Sequence, residues 1–237
     1  MIGDTQVFSI YINDLVAHFD ESCDPVKLME RNLSCLLYAD DLVLISESAI
    51  GLQNSLNILS CYCDKWNLTV NLDKTKSMIF NKADRKLTRE SFLYKYLGII
   101  SKPSGIFTNA VEILCKKATK SLFCIRQLLI SEKSNISTHL KLFETCVKPI
   151  LVYCSEIWSL NIVKSNVDLE SKYLSMLPVK VQIKFAKALL GVNKQVVNLV
   201  VLGELGMYPI SIHAFKSAIE YWLHILKSEN THLYKAY

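Results

Sequence analysis

The sequence predicts an α+β protein in which a small antiparallel sheet with one packed helix precedes a series of helices. Two observations lead to this class. Short apolar, β-rich runs separated by turns dominate the first hundred residues, whereas from residue 109 onward apolar side chains recur at helical spacing. Strands followed only by helices are typical of an α+β unit joined to a helical one. The 237 residues, 51% of them hydrophobic, are enough to build two packed units.

The clearest strand signal is SCLLYADDLVLIS, residues 34–46. Two short apolar runs flank Ala-Asp-Asp, which predicts a hairpin with buried arms and with Asp40 and Asp41 at its bend. A turn and a strand are predicted within residues 69–80. A further strand is predicted over residues 92–101 with Gly98 inside it, where a glycine often marks a bulge.

Helices are predicted from the spacing of apolar side chains. An early helix should pack on the sheet through one apolar stripe, formed by Leu52, Leu56, Leu59, Cys63 and Trp66. Later helices are predicted from residue 109 onward, over 136–147 with a continuation toward Trp158 that is kinked or broken at Pro149, over 179–190 before Gly191 as a stop signal, and over 211–227.

Charge is distributed unevenly along the chain, although the formal net charge is only +5. Residues 1–73 carry 3 basic and 11 acidic side chains, and residues 74–120 carry 11 basic and 3 acidic side chains. An acidic part that could hold metal therefore precedes a basic part that could bind a polyanion. On charge alone, a solvated basic face explains the second part equally well.

Neither a membrane span nor a signal peptide is predicted. The N-terminus lacks a basic region followed by an apolar run, and the later apolar stretches fall short of the ~20 residues that cross a bilayer. We expect an intracellular protein, in the nucleus or the cytoplasm. The eight cysteines form no C-x-x-C pair, so reduced and mostly buried thiols are favoured over disulfides or zinc ligands.

Asp40 and Asp41 are the candidate metal ligands. Two adjacent carboxylates in a partly dry site repel and raise one another's pKa unless a cation neutralises them. Mg²⁺ takes oxygen ligands, and a pair of such ions can clamp the attacking and leaving oxygens of a phosphoryl transfer. A pair of aspartates at a solvated surface turn is the alternative, and the two residues alone leave both interpretations open.

The residues around this pair resemble a known family. YADD between two apolar strands resembles the Y-x-D-D box of reverse transcriptases, and other segments follow in that family's order. The helix after the template-gripping motif is resembled by FSIYINDL (8–15). The family's lysine-bearing loop is resembled by LTVNLDKTKSMIF (68–80), and its primer-holding hairpin by YKYLGI (94–99). YCSEIW (153–158) and VLGELGMYPI (201–210) resemble thumb and post-thumb segments of non-LTR (LINE-type) retrotransposon enzymes.

The resemblance implies a partial palm over residues 1–105, a helical thumb over 106–160 and a helical post-thumb region over 161–237. It also implies RNA-directed DNA polymerase activity by two-metal nucleotidyl transfer with Mg²⁺ or Mn²⁺. The partners would be an RNA template, a DNA primer and deoxynucleoside triphosphates, with no membrane. Asp40 would be the direct metal ligand and Asp41 the weaker partner.

Other residues receive roles by the same resemblance. Tyr38 and the small Ala39 would lie beside the primer terminus and the incoming nucleotide. Lys74 or Lys76 would act near the triphosphate, and a plain solvated lysine is the equal alternative for either. The remaining implied nucleic-acid contacts are Tyr96, Leu97 and Gly98 in the primer grip, Lys116, Lys117 and Lys120 on the template–primer backbone, and Lys180, Lys184 and Lys187 on a second basic ridge.

The sequence departs from the family's pattern upstream of the YADD box. The family's third active-site carboxylate lies on a strand before the YINDL helix, and Asp4, Asp14 and Asp20 do not match its position. We therefore expect that this polypeptide does not polymerise DNA alone. A non-catalytic nucleic-acid-binding remnant, or an interaction protein that reuses the fold, is the alternative. An unpaired palm edge predicts low solubility or self-association.

Overall fold

The computed structural model describes residues 8, 10–19, 21–28, 31–80, 94–102, 105, 107–130, 135–159 and 174–227. They form two compact units, the first containing the described residues up to Met78 and the second those from Ile79 onward. The predicted domain boundaries at residues 105 and 160 remain predictions. Among the described helices, none combines the length and apolarity needed to cross a bilayer.

The first unit contains two antiparallel strand pairs. β1 (Val26–Leu28) pairs with β2 (Arg31–Leu33), and β3 (Cys35–Tyr38) pairs with β4 (Asp41–Leu44). The β3–β4 pair confirms the predicted hairpin. The sequence does not predict β1 and β2, because three-residue strands are too short to show a two-residue period.

One long helix, α1 (Ala49–Trp66), shares an apolar core with the β3–β4 pair. It begins after Ser48, whose side-chain oxygen accepts a hydrogen bond from the Gly51 N–H at 3.0 Å, because the first N–H groups of a helix lack partners within it. It ends at Asn67, which adopts a left-handed conformation with φ of 50°. The predicted helix is therefore confirmed with local signals at both ends.

The predicted apolar stripe of α1 is confirmed in part: Cys63 is buried and Leu59 and Trp66 pack against the core, but residues beside the stripe are buried as well. Gly51, Ser55 and Tyr62 are buried, whereas Leu56 is exposed. The small residues Gly51 and Ser55 allow the helix to lie directly against a 3-10 turn, Glu21–Cys23. The buried members of this unit's apolar core are Ile12, Leu15, Phe19, Cys23, Cys35 and Tyr62.

The segment after α1 confirms the turn predicted within residues 69–80 but contradicts the strand predicted to follow it. A turn occurs there, in which the Asn71 side chain accepts a hydrogen bond from the Lys74 N–H at 3.2 Å. Residues 75–80 then have no regular structure, and Ile79 and Phe80 are 73% and 68% exposed. The apolar residues of this segment have the composition of a strand, but no described strand pairs with them.

The second unit opens with a hairpin and continues as helices. β5 (Tyr94–Tyr96) pairs with β6 (Ile99–Ser101), so Gly98 lies in the turn between them and not inside a strand as predicted. The described helices that follow are α2 (Thr108–Ile130), α3 (Ile136–Leu142), α4 (Lys148–Leu151), α5 (Ser155–Trp158), α6 (Leu177–Leu190), α7 (Asn198–Glu204) and α8 (Ile210–Lys227).

The predicted helices of this unit are confirmed, with one irregular region near Pro149. A π-helical segment, Phe143–Val147, separates α3 from α4, and Pro149 lies in the first turn of α4. Proline is tolerated there because the first N–H groups of a helix have no partner inside it. A break follows before α5, where Cys154 adopts a left-handed φ of 53°. The α+β class is therefore confirmed.

The core of the second unit joins helices that are distant in sequence. Phe143, Val147 and Leu151 are fully buried and form one inward face of the π segment and α4. Phe143 stacks on Phe185 of α6, with ring centroids 4.6 Å apart. Buried residues of α2, α6 and α8 complete this cluster, among them Ala118, Val179, Ala186 and Ala214.

All eight cysteines have free thiols. Four of them, Cys23, Cys35, Cys63 and Cys115, are buried, and Cys61, Cys124 and Cys146 are exposed. Burial raises the pKa of the Cys115 thiol to about 11, with Glu112 adding to the shift. Half of the thiols are thus buried, fewer than the sequence prediction of mostly buried cysteines.

Candidate active site

Asp40 and Asp41 lie at the tip of the β3–β4 hairpin. Tyr38 pairs with Asp41, so Ala39 and Asp40 form a two-residue turn between the strands. Ala39 has a positive φ of 52°, as hairpin turns that match the twist of the flanking strands require. The predicted position of the two carboxylates at the bend is therefore confirmed.

The hairpin is more open to solvent than the sequence predicted. Asp40 and Asp41 are both exposed, and on the strands Tyr38 is 63% and Leu36 is 41% exposed. The alternate strand residues Cys35, Leu37 and Leu42 face the core of the first unit. The prediction of buried arms and a partly dry carboxylate pair is therefore wrong, because the strand pair packs through one face only.

The chemistry of Asp40 and Asp41 fits a hard divalent cation. Their adjacent carboxylates supply oxygen donors on an accessible turn, and Mg²⁺ binds through one or two carboxylates together with water and substrate phosphates. Within the described residues, no group of three or more His, Cys, Asp or Glu side chains could hold a metal ion. In the described part of the chain the two aspartates therefore form a pair without a third protein ligand.

Asp14 has a different partner. The Tyr62 hydroxyl donates a hydrogen bond to Asp14 Oδ1 at 2.5 Å, and the Tyr62 ring packs in the core beside His18 and Trp66. Burial and this hydrogen bond raise the pKa of Tyr62 to about 12. Asp14 thus connects the N-terminal segment to α1 and does not form a group of metal ligands with the YADD carboxylates.

Lys74 and Lys76 follow α1 and are both exposed. The backbone N–H of Lys74 is fixed by Asn71, while Lys76 lies in the irregular stretch that replaces the predicted strand. Exposure leaves both ammonium groups available to an anion, and it equally suits solvated lysines. A role near a triphosphate remains a prediction for each of them.

Tyr96, Leu97 and Gly98 form the tip of the β5–β6 hairpin in the second unit. Leu97 and Gly98 have φ values of 45° and 84°, the positive pair found in type I′ turns. Glycine is favoured at such a position because it has no Cβ to oppose a positive φ. The three residues assigned by resemblance thus lie together at one turn.

The lysines of α2 lie on its solvent face. Lys116, Lys117 and Lys120 are exposed, whereas Leu114 and Ala118 are buried on the opposite side. The helix therefore separates an apolar face from a basic face. The basic face is free of ion pairs within the described residues.

The second basic ridge on α6 is only partly available. Lys180 and Lys184 are exposed, but Lys187 Nζ donates hydrogen bonds to the carbonyl oxygens of Lys194 and Val196, both at 2.6 Å. Lys187 therefore holds the loop after α6 and does not extend the ridge. The sequence could not reveal this role because helical spacing alone places Lys187 beside the other two lysines.

Tyr153 is a partner of the β5–β6 turn that the sequence does not predict. Its hydroxyl donates a hydrogen bond to the Leu97 carbonyl oxygen at 2.5 Å, across 56 positions of the chain. The family resemblance drew attention to YCSEIW as a segment but carried no signal for this contact. Only the packing of α4 and α5 brings the tyrosine to the hairpin.

Comparison with known proteins agrees with the motifs. The family model described as "Reverse transcriptase (RNA-dependent DNA polymerase)" matches residues 5–101, which contain both the YADD hairpin and the β5–β6 hairpin. This segment is therefore similar to reverse transcriptases. No solved structure matches the chain significantly.

Curated proteins similar to this chain come from a transposon and from mobile elements. The chain is 28% identical over 148 residues to the probable RNA-directed DNA polymerase from transposon BS of Drosophila melanogaster, a match that covers 54% of this chain and 16% of the relative. The RNA-directed DNA polymerases from mobile element jockey of Drosophila funebris and D. melanogaster are 24% and 22% identical, over 56% and 68% of this chain and 16% and 19% of the relatives. These similarities support the predicted non-LTR retrotransposon lineage. The chain spans less than a fifth of the length of these relatives.

Proposed function

We propose that this chain supplies the metal-binding turn and part of the nucleic-acid-holding surface of an RNA-directed DNA polymerase. The observation that carries the proposal is the exposed Asp40–Asp41 pair at a two-residue turn, within a segment that matches reverse transcriptases. The substrates would be deoxynucleoside triphosphates, added to a DNA primer on an RNA template. The same chemistry requires the protein to work where nucleic acid is present, in the nucleus or the cytoplasm.

Asp40 and Asp41 would hold the divalent cations, Mg²⁺ or Mn²⁺. Bound there, the metal would supply charge stabilisation to the attacking and leaving oxygens of phosphoryl transfer. Both carboxylates are exposed, so substrate phosphates and water can complete the coordination. The small side chain of Ala39 leaves room beside them for a primer end and a nucleotide, with the exposed Tyr38 ring next to it.

Basic side chains would hold the polyanionic substrates. Lys74 or Lys76 would neutralise the triphosphate, and Lys116, Lys117 and Lys120 would contact the template–primer backbone. Their exposure and their position on one side of α2 support this role, since phosphate contacts need accessible cations. These contacts would position the duplex without reading its sequence.

Iron-mediated cleavage tests the metal site without requiring turnover. Fe²⁺ with ascorbate replaces Mg²⁺ and generates radicals that cut nearby backbone, so we expect cleavage of the polypeptide at residues 38–41 and of bound primer near its 3′ end. The double variant Asp40→Asn, Asp41→Asn should lose both cuts. The matched control Asp73→Asn, another exposed aspartate of the first unit, should keep them.

Two outcomes would contradict the proposal. Cleavage that survives in the double variant would place the metal elsewhere. Cleavage of the polypeptide at residues 38–41 with an uncut, bound primer would show that the metal bound there does not lie near the 3′ end of the primer. In either case the YADD hairpin would not be an active-site element of this chain.

A further inference from the structure

The turn of the β5–β6 hairpin is held by a side chain from the helical part of the same unit. Tyr153 Oη donates a hydrogen bond to the Leu97 carbonyl oxygen at 2.5 Å. This carbonyl lies in the two-residue turn, where it does not take part in the strand pairing of Tyr96 with Ile99. The contact therefore fixes the tip of the hairpin and not its arms.

The position of Tyr153 is itself fixed from the core. Trp158 Nε1 donates a hydrogen bond to the Tyr153 carbonyl oxygen at 2.8 Å, and Trp158 is only 1% exposed. Tyr153 lies in the break between α4 and α5, next to Cys154 with its left-handed backbone. A buried indole and a fixed backbone break thus hold the tyrosine at 43% exposure.

The absence of a side chain at Gly98 leaves space for this tyrosine. A Cβ added at Gly98 would lie 3.2 Å from Tyr153 Oη and 3.5 Å and 3.6 Å from two carbons of its ring. Such a Cβ would crowd the hydroxyl, and the φ of 84° would strain any L side chain. The tyrosine ring therefore lies beside the turn, in the space that a side chain at position 98 would enter.

We propose that Tyr153 is a positioning residue that holds the Leu97–Gly98 turn in the orientation that seats the recessed 3′ end of a primer. The inference rests on the proposed function, which assigns this hairpin to primer binding. Tyr153 would act through the turn and would not touch the reacting atoms. Its hydroxyl would matter more than its ring, because the hydroxyl makes the bond that orients the turn.

The clamp is the contact of Tyr153 with the Leu97–Gly98 turn, and hydrogen exchange tests it independently of nucleic acid. We expect Tyr153→Phe in the 237-residue polypeptide to speed amide exchange in residues 94–101 by about threefold to tenfold, the factor that corresponds to one net hydrogen bond. The melting temperature should change little, because the ring and the core remain. Tyr208→Phe, at a tyrosine that is 70% exposed, is the matched control and should leave exchange in residues 94–101 unchanged.

Coupling between the two contacting residues gives a second test of the clamp. Gly98→Ala should also speed exchange in the turn, since its new Cβ meets Tyr153 Oη. The effect of Gly98→Ala should be smaller in the Tyr153→Phe background, where the closest contacting atom is gone. Additive effects would show that the two residues act separately and would overturn the clamp.

Binding tests the role at the primer end. The probe is an RNA template with a DNA primer, compared as a recessed 3′ end and as a blunt duplex of the same length. We expect Tyr153→Phe to reduce the ratio of the two affinities by about threefold to tenfold, while Tyr208→Phe leaves it unchanged. A purely structural role would lower both affinities together and leave the ratio constant.

The outcomes separate the two proposals. Unchanged exchange in Tyr153→Phe overturns the clamp, whatever the binding result. Faster exchange with an unchanged affinity ratio overturns the primer-end role of Tyr153. If the wild-type polypeptide binds neither duplex and gives no iron-mediated cleavage of primer, the proposed function fails, and the exchange experiment still decides whether the tyrosine orients the turn.

Discussion

At the residue scale, Gly51 shows how a close approach can outweigh helix propensity. It lies in the first turn of α1, where alanine would normally favour the helix by up to about 1 kcal/mol. A Cβ at this position, however, would meet the Asp24 side chain and would lie 2.5 Å from both the Cys23 carbonyl oxygen and Ser46 Oγ. The carbonyl belongs to the backbone, so it cannot move aside as a flexible side chain would.

We therefore predict that Gly51→Ala lowers the free energy of unfolding by about 2 kcal/mol, the usual cost of overpacking. Chemical denaturation followed by circular dichroism measures the change. Gly203→Ala in α7 is the matched control, because a Cβ there meets no atom within 4 Å, and it should raise stability slightly. Equal effects of the two substitutions would mean that α1 does not depend on this close approach.

The carboxylate pair illustrates what a residue's identity does and does not reveal. The sequence placed Asp40 and Asp41 at a bend, because two apolar runs flank them. It also suggested a dry environment, because apolar neighbours usually mean burial. The exposure of Leu36 and Tyr38 shows that apolar strand residues can lie on an open face.

At the element scale, the exposed lysines of α2 carry the electrostatic part of the proposed function. A protein that neutralises phosphates releases their counterions, so log affinity falls with log salt by about 0.9 for each phosphate contacted on B-form DNA. Lys116, Lys117 and Lys120 form no ion pair with any described acid, and all three are available for such contacts.

We predict that replacing these three lysines by glutamate flattens the salt dependence of template–primer binding by about 0.9 in slope for each phosphate that the variant no longer neutralises. Fluorescence anisotropy between low and moderate salt measures the slope. Lys216→Glu on α8, another exposed lysine of the second unit, serves as the control and should leave the slope unchanged. An unaltered slope in the triple variant would show that these lysines of α2 do not contact the nucleic acid.

The two hairpins show why element prediction succeeded for one and failed for the other. In the YADD hairpin, the polar residues Asp40 and Asp41 interrupt the apolar run, so the turn is visible in the sequence. In the second hairpin, Leu97 is apolar and stands inside a continuous apolar run with Gly98. The turn there is visible only from the paired positive φ values and from the register of Tyr96 with Ile99.

At the scale of the whole molecule, the described residues offer two adjacent carboxylates and no group of three metal ligands. Two ligands hold a pair of divalent cations weakly, and the loss of metal-based charge stabilisation removes a large part of the catalysis of phosphoryl transfer. The uneven distribution of charge does not depend on catalysis, so we expect polyanion binding to persist without it.

We accordingly predict that the purified 237-residue polypeptide binds an RNA template with a DNA primer but does not extend the primer in Mg²⁺. Incorporation of labelled deoxynucleotides measures extension, and the double variant Asp40→Asn, Asp41→Asn is the control for background activity. Extension that disappears in the double variant would show that a third ligand completes the site, and the predicted inactivity would be wrong. Self-association through exposed strand surface also stays a prediction at this scale.

The sequence by itself determined the α+β class, the long helices and the position of the carboxylate pair at a bend, because period, cap residues and turn residues are local signals. It also indicated the similarity to reverse transcriptases, since several ordered motifs are far more specific than one. Tertiary structure alone decided which side chains are available. In the folded chain, Lys187 forms hydrogen bonds with the loop after α6, and Gly51 and Ser55 of α1 face the core. Tyr153 forms a hydrogen bond with Leu97. Such contacts join residues that are distant in the chain or depend on how closely elements pack, and no local pattern encodes them.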